Sequence, residues 1–296
     1  MTRARRDAPA ALLAAAVALG ALAARGGVAR TRIAGSREDT LAVARFAAAA
    51  REGTTRYREL DAAVADGFRR VGTDFPRMGE HWVSLRRIMA DSLAPTEPPI
   101  LTYVRVRGTP VLAGVAYTAL LEPGEALPAF APALPHWHEH NGGVAEESFP
   151  LAHHAGTHGE APDGPRVAVL HAWVWAANPA GIFAADNPTL PWLRLGAPAP
   201  RDPPRGLGEI LALVLAGEEY HLLTLRTGAG LSEEESAAAE RVLRDYRARA
   251  LPLVRTPLGP AAERELAELW GALWRELEHA VPQRADAVRR IGAALR

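Results

Sequence analysis

The run PPILTYVRVRGTPVLAGVAYTALL, Pro98 to Leu121, decides the fold. Two prolines open it, and Ile100 to Val106 follows as a stretch rich in β-branched and aromatic residues. Gly108-Thr109-Pro110 turns the chain, and a second extended run continues from Val111 to about Leu121. Two extended runs on either side of a short turn read as paired antiparallel strands. Two further β-rich stretches follow, His136 to Asn141 and Val167 to Trp175. The last is apolar at odd and even positions alike, as a strand covered on both faces is.

Helical patterns lie on both sides of these strands. Ser36-Arg37-Glu38-Asp39 has the form of a capping box, and an Ala-rich helix runs from it to about Arg51, with Gly53 as its breaker. A second helix begins near Tyr57, where Tyr57, Leu60, Val64 and Phe68 are spaced for one apolar face. Gly72 to Gly79 reads as a turn-rich loop leading into Glu80-His81-Trp82. Gly196 to Gly206, with four prolines, reads as a linker. Beyond it Leu207, Leu211, Val214 and Leu222 mark one helix, Ser232 with Glu235 caps another, and Leu266, Trp270, Leu273 and Leu277 stripe a third. The expected fold is α+β, a mainly antiparallel sheet flanked by helices, with a helical C-terminal region. The expected division is 1–24, an export signal; 36–195, the α+β metal-binding unit; and 206–296, the helices.

Arg3, Arg5 and Arg6 precede an apolar run from Ala10 to Ala24. That run is short for a bilayer, which needs about 20 apolar residues, and has the order of a secretory signal. Ala21 and Ala23 suit a peptidase, so the mature chain is expected to start near Ala24 in the periplasm or outside the cell, with no stable membrane span after removal. An uncleaved anchor is the alternative.

Composition closes several routes. There is no cysteine, which excludes disulfides, thiolate ligands and thiol nucleophiles. Lys+Arg 34 balance Asp+Glu 34, so no global field attracts nucleic acid and none is expected as a partner. Every basic residue is arginine, which excludes Schiff-base chemistry and a Walker-type phosphate loop. A GC-rich genome accounts for that bias. Neither a Gly-x-Ser-x-Gly elbow nor a Gly-rich dinucleotide fingerprint is present.

The ten histidines remain. In Pro135-His136-Trp137-His138-Glu139-His140 the imidazoles alternate, so a strand turns all three to one side. His136 and His140 would stand about 13 Å apart, so an adjacent pair is the better chelate. His171 lies in the most apolar strand, where a neutral imidazole must find a partner. Imidazoles without thiolate suit one transition-metal ion, Zn, Cu, Fe or Ni. The bland reading is a core histidine at His171 and a wet edge at His136 to His140.

Met78-Gly79-Glu80-His81-Trp82, Trp137-His138-Glu139-His140-Asn141-Gly142 and His171-Ala172-Trp173-Val174-Trp175, followed by Asn178-Pro179-Ala180-Gly181-Ile182-Phe183, occur in that order. The set resembles an uncharacterised family of often exported prokaryotic proteins with Met-Gly-x-His, Trp-His-x-His-x-Gly and His-Ala-Trp motifs, over roughly Tyr57 to Pro191. The resemblance implies His81, His138, His140 and His171 as ligands and no activity. A weaker likeness is to cupins, metal-binding β-barrels. Glu146 follows His140 by more than the cupin spacing, and Trp175 stands where an asparagine is expected. His136, Glu146 and His221 form a second tier of candidate ligands.

Two Glu-x-x-His pairs lie in the helices. Glu276 and His279 fall off the Leu266–Leu277 stripe and are expected in solvent. Glu218 and His221 fall within the Leu207–Leu222 stripe, as a self-satisfying buried contact or, more sharply, as a proton acceptor and a further ligand beside the metal. His153, His154 and His158 sit in a Gly/Pro-rich loop and are not expected to form the tight site. The leading expectation is an exported metal-binding protein with a mononuclear histidine site. The alternatives are a metal-dependent enzyme, hydrolytic or oxidative, with Glu218 as acid/base, and a non-metal interaction protein.

Overall fold

The computed structural model describes residues 37–122, 124–128, 137–141, 166–255 and 257–295, with backbone alone at 37–39, 138–141 and 166. The signal segment 1–24, Ser36, His136, Glu146, His153, His154 and His158 lie outside the described residues.

The hairpin read from Pro98 to Leu121 is the middle of a six-stranded antiparallel sheet. Its strands are β1 (Arg69–Phe75), β2 (Gly79–Val83), β3 (Ile100–Val106), β4 (Thr109–Leu121), β5 (His138–Asn141) and β6 (Arg166–Ala172), in the order β1-β2-β3-β4-β6-β5. Helices flank it, and the fold is α+β. The helices are α1 (Arg37–Thr54), α2 (Leu60–Ala65), α3 (Leu85–Ala90), α4 (Leu190–Leu195), α5 (Arg205–Ala216), α6 (Glu219–Ala229), α7 (Glu233–Ala250), α8 (Pro260–Ala280) and α9 (Ala285–Ala294).

Alternation along the strands separates two cores. On one face Leu101, Tyr103, Leu112, Val115, Tyr117 and Leu170 pack on Phe46, Ala47 and Ala50 of α1 and on Tyr57 and Phe68. The Tyr117 phenol reaches the Pro95 carbonyl at 2.7 Å, so this aromatic layer has its polar ends satisfied. The opposite face is closed at one end by Ile88 of α3 against Val83, Ile100, Ala116 and Val169. At its other end Trp173 and Leu190 pack on Val104 and Ala113.

The C-terminal helices build a third core around Leu243, Tyr246, Leu266, Trp270, Leu273 and Leu277, and Phe75 and Met78 of the β1–β2 hairpin belong to it. Next to that join, Arg194 of α4 forks onto Asp74 of β1, with both N–O distances 2.6 Å and the guanidinium fully buried.

Several local expectations change. Gly53 does not break α1, which runs on to Thr54. A Cβ there would stand 2.3 Å from the Thr96 carbonyl oxygen, so the glycine is set by close approach of another segment. Tyr57 sits in a short 3-10 turn ahead of a six-residue α2. The supposed loop 72–79 is the tip of a hairpin, and its first strand, with Arg69, Arg70 and Asp74, is too polar to announce itself. Trp175 leaves the sheet after Ala172 and donates its indole N–H to Thr54 at 3.0 Å on the α1 side, so it does not share a face with His171. The helix expected through Leu222 is two, because Gly217 with φ 106 ends α5. The Ser232–Glu235 capping box of α7 and the buried α8 stripe are present.

Candidate metal centre

His81 is the third residue of β2 and pairs with Thr102 of β3. Gly79 aims it. With φ 80, Gly79 takes a left-handed conformation that side chains disfavour, and a Cβ there would meet the Tyr103 carbonyl oxygen at 2.3 Å. His171 lies on β6 opposite Ala116 of β4. Following the pairings across the sheet, His81, Thr102, Gly114, Ala116, Thr118, Val169 and His171 occupy one face.

The two imidazoles meet edge to face, ring centroids 5.5 Å apart and planes at 87°. Trp173 stacks on His171 at 5.8 Å and 20°, while Phe75 stands edge-on to His81 at 5.5 Å. Both histidines are buried, 3% and 1% exposed. Burial in this aromatic setting pushes His81 down to about 4, partly opposed by the Gly79 backbone, so the ring is neutral at pH 7. Among the described residues its Nδ1 has no hydrogen-bond partner, and neither have the buried hydroxyls of Thr102 and Thr118 on the same face. A neutral imidazole with an unengaged nitrogen, beside a second imidazole and behind aromatic walls, fits the donor set of a borderline metal ion.

β5 lies directly beside β6, as expected, with position 138 opposite Val169 and position 140 opposite Val167. Paired positions share a face, so both positions belong to the His171 face. Position 138 is the diagonal neighbour of His171, a relation that spaces the two positions about 7–8 Å apart. Position 140 is one pleat, about 7 Å, further along the strand. The register thus brings position 138 closer to His171 than position 140. Trp137 packs against Ala119, Leu121 and Ala168 on the reverse face, also as expected. Among the described residues no three His, Asp or Glu side chains gather into a metal-holding group.

His221 does not join His81 and His171 in such a group. His221 lies on α6 with Nε2 3.7 Å from Oε2 of Glu209. Glu218, the expected acid/base, is engaged by arginines. It precedes α6 and accepts from Arg244 at 2.9 Å, with Arg247 at 3.8 Å. Partial burial raises its pKa, but those arginines outweigh it and hold the carboxyl below its ordinary range. The break at Gly217 is the reason, because it turns Glu218 off the buried stripe of α5. His279 is exposed, and Glu276 pairs with Arg249 at 2.8 Å, as their off-stripe positions implied.

Sequence reading missed a buried polar group at the hairpin end of the sheet. Arg77 and Asp186 pair at 3.0 Å, and Arg205, Glu209 and Asp186 act on one another electrostatically. A signal existed: Glu209 stands at the head of the otherwise apolar run Ile210 to Ala216 of α5. Compared with known protein families, curated proteins and solved structures, the chain matches none.

Proposed function

We propose that this chain is an exported metal-binding protein whose single transition-metal ion is held by His81 and His171 together with His138, with His140 one pleat further along β5. The observation that carries this reading is the meeting of two buried imidazoles from β2 and β6, next to the strand that carries the His-x-His pair. Burial keeps His81 neutral, the form in which imidazole offers a lone pair to a metal. Zn, Cu, Fe and Ni all suit imidazole nitrogen. The role is binding, with the chain's own groups supplying the ligands and Trp173 and Phe75 excluding water from them. No helix of the described residues is long and apolar enough to cross a membrane.

Elemental analysis of the protein purified in its native exported form tests the reading. About one transition-metal ion per chain is expected, lost in His81→Ala and retained when residues 153–158 are deleted. Wild-type protein that holds no stoichiometric metal, or that loses it with the 153–158 segment, overturns the assignment.

A further inference from the structure

Glu209 of α5 and His221 of α6 bury a carboxyl group and an imidazole against each other, 3.7 Å apart. Glu209 is 4% exposed and His221 1%. Neither ring nitrogen of His221 has a hydrogen-bond partner among the described residues, and nor has Oε2 of Glu209. Proton count decides what such a contact is. With no proton shared, a carboxylate lies buried against an acceptor nitrogen. With two, a buried imidazolium faces a carboxylic acid. With one, held by the carboxyl beside a neutral imidazole, no net charge is left in the core, which is the least costly arrangement of the three.

Arg205 lies one turn before Glu209 on α5, Arg77 comes from the β1–β2 turn, and Asp186 from the segment after β6. Burial raises Glu209 most, to about 7; the two arginines pull against it and Asp186 adds to it. Tyr220 of α6 stands edge-on to His221 at 5.2 Å, and Trp270 of α8 at 5.8 Å. Tyr246 of α7 packs on Trp270 in turn. Burial alone pushes His221 down to about 3.

We infer that Glu209 and His221 hold a single proton between them as a neutral buried pair joining α5 to α6 across the Gly217 break, and lose it as the solution turns alkaline. The folding reaction then moves one proton from imidazole to carboxyl without changing the number bound. Between the ordinary carboxyl value of 4.5 and the ordinary imidazole value of 6.5, the unfolded chain carries that proton on His221 and the folded chain carries it on Glu209. The pair therefore contributes no slope of stability against pH in that window.

Breaking the pair from either side exposes opposite slopes. Glu209→Gln leaves a histidine whose folded value is depressed, so stability rises with pH up to about 6.5 and falls away towards acid. His221→Asn leaves a carboxyl whose folded value is raised, so stability is fullest at low pH and is lost as pH rises through about 7. The test is denaturant unfolding of the full exported chain and both variants across that window, each referred to wild type so that other groups cancel. The two differences should run in opposite directions, each approaching tenfold in the folding constant per pH unit, about 1.4 kcal/mol. Parallel profiles, or slopes of the same sign, overturn the inference. If a variant does not fold, infrared spectra of wild-type protein carrying 13C-glutamate decide. A protonated carboxyl band at about pH 6 that vanishes above about pH 8 supports the shared proton; carboxylate bands alone at about pH 6 overturn it.

Discussion

His81 and His171 touch across two intervening strands. β3 and β4 separate β2 from β6, and three strand spacings on a flat sheet amount to about 14 Å. Imidazole side chains bridge that gap to a 5.5 Å centroid separation only if the sheet curls with this face inward. The residues beneath the pair are small enough to permit it, Thr102, Gly114 and Ala116. A Cβ on Gly114 would stand 3.1 Å from the Ala172 carbonyl oxygen and 3.2 Å from the Trp173 ring.

Removing His171 opens a hole beneath Trp173 whether or not metal is bound. His171→Ala in metal-stripped protein is expected to lose about 2 to 4 kcal/mol, the range for truncating a large buried side chain. His279→Ala, an exposed position, should leave the denaturation midpoint where it is. Equal midpoints for both variants would place His171 outside the packed core.

Among the described residues, Asp74 is the carboxylate that meets the fully buried Arg194 guanidinium, through two 2.6 Å contacts. Asp74→Asn leaves that charge buried and poorly compensated, so a loss of about 3 to 5 kcal/mol is expected. The surface pair of Arg249 and Glu276 is a control: Glu276→Gln should change stability by less than about 1 kcal/mol. Chemical denaturation of the two variants checks the contrast, and similar losses in both would show that burial of the Asp74 pair does not govern its worth.

The hairpin of β3 and β4 was legible because β-branched and aromatic residues, two prolines and a short turn all agree there. The α8 stripe was legible for the same reason, since Leu266, Trp270, Leu273 and Leu277 face one core. β1 was not, because Arg69, Arg70 and Asp74 make contacts that only the folded chain supplies: Arg70 reaches Glu219 at 3.0 Å and Asp74 meets Arg194. In the candidate site, the pairing of His81 with His171 and the placing of β5 beside β6 followed from the motifs. The extra distance to position 140 did not, since it depends on a register that sequence does not reveal. His221 is buried as its stripe position implied, but Glu218 is not, because the 3.6-residue stripe does not continue through Gly217, where the chain turns to φ 106.

Gly79 couples backbone and site. Gly79→Ala must hold φ near 80 while its Cβ approaches the Tyr103 carbonyl at 2.3 Å, so either β2 moves away from β3 or the hairpin loosens. A loss of about 2 kcal/mol or more is expected from strain and displaced pairing, together with weaker metal retention as His81 shifts. Thermal unfolding and metal content of the same sample read both effects. A variant as stable as wild type would mean that the turn relaxes without cost.

X-ray absorption at the edge of the bound metal tests the central claim most directly. The account predicts a first shell that includes His81, His138 and His171, three imidazole nitrogens at about 2.0–2.1 Å if the ion is zinc, with the multiple-scattering pattern of imidazole, and one nitrogen fewer in His138→Gln. A shell of oxygen alone, or one unchanged by the loss of His81 and His171 together, would contradict it.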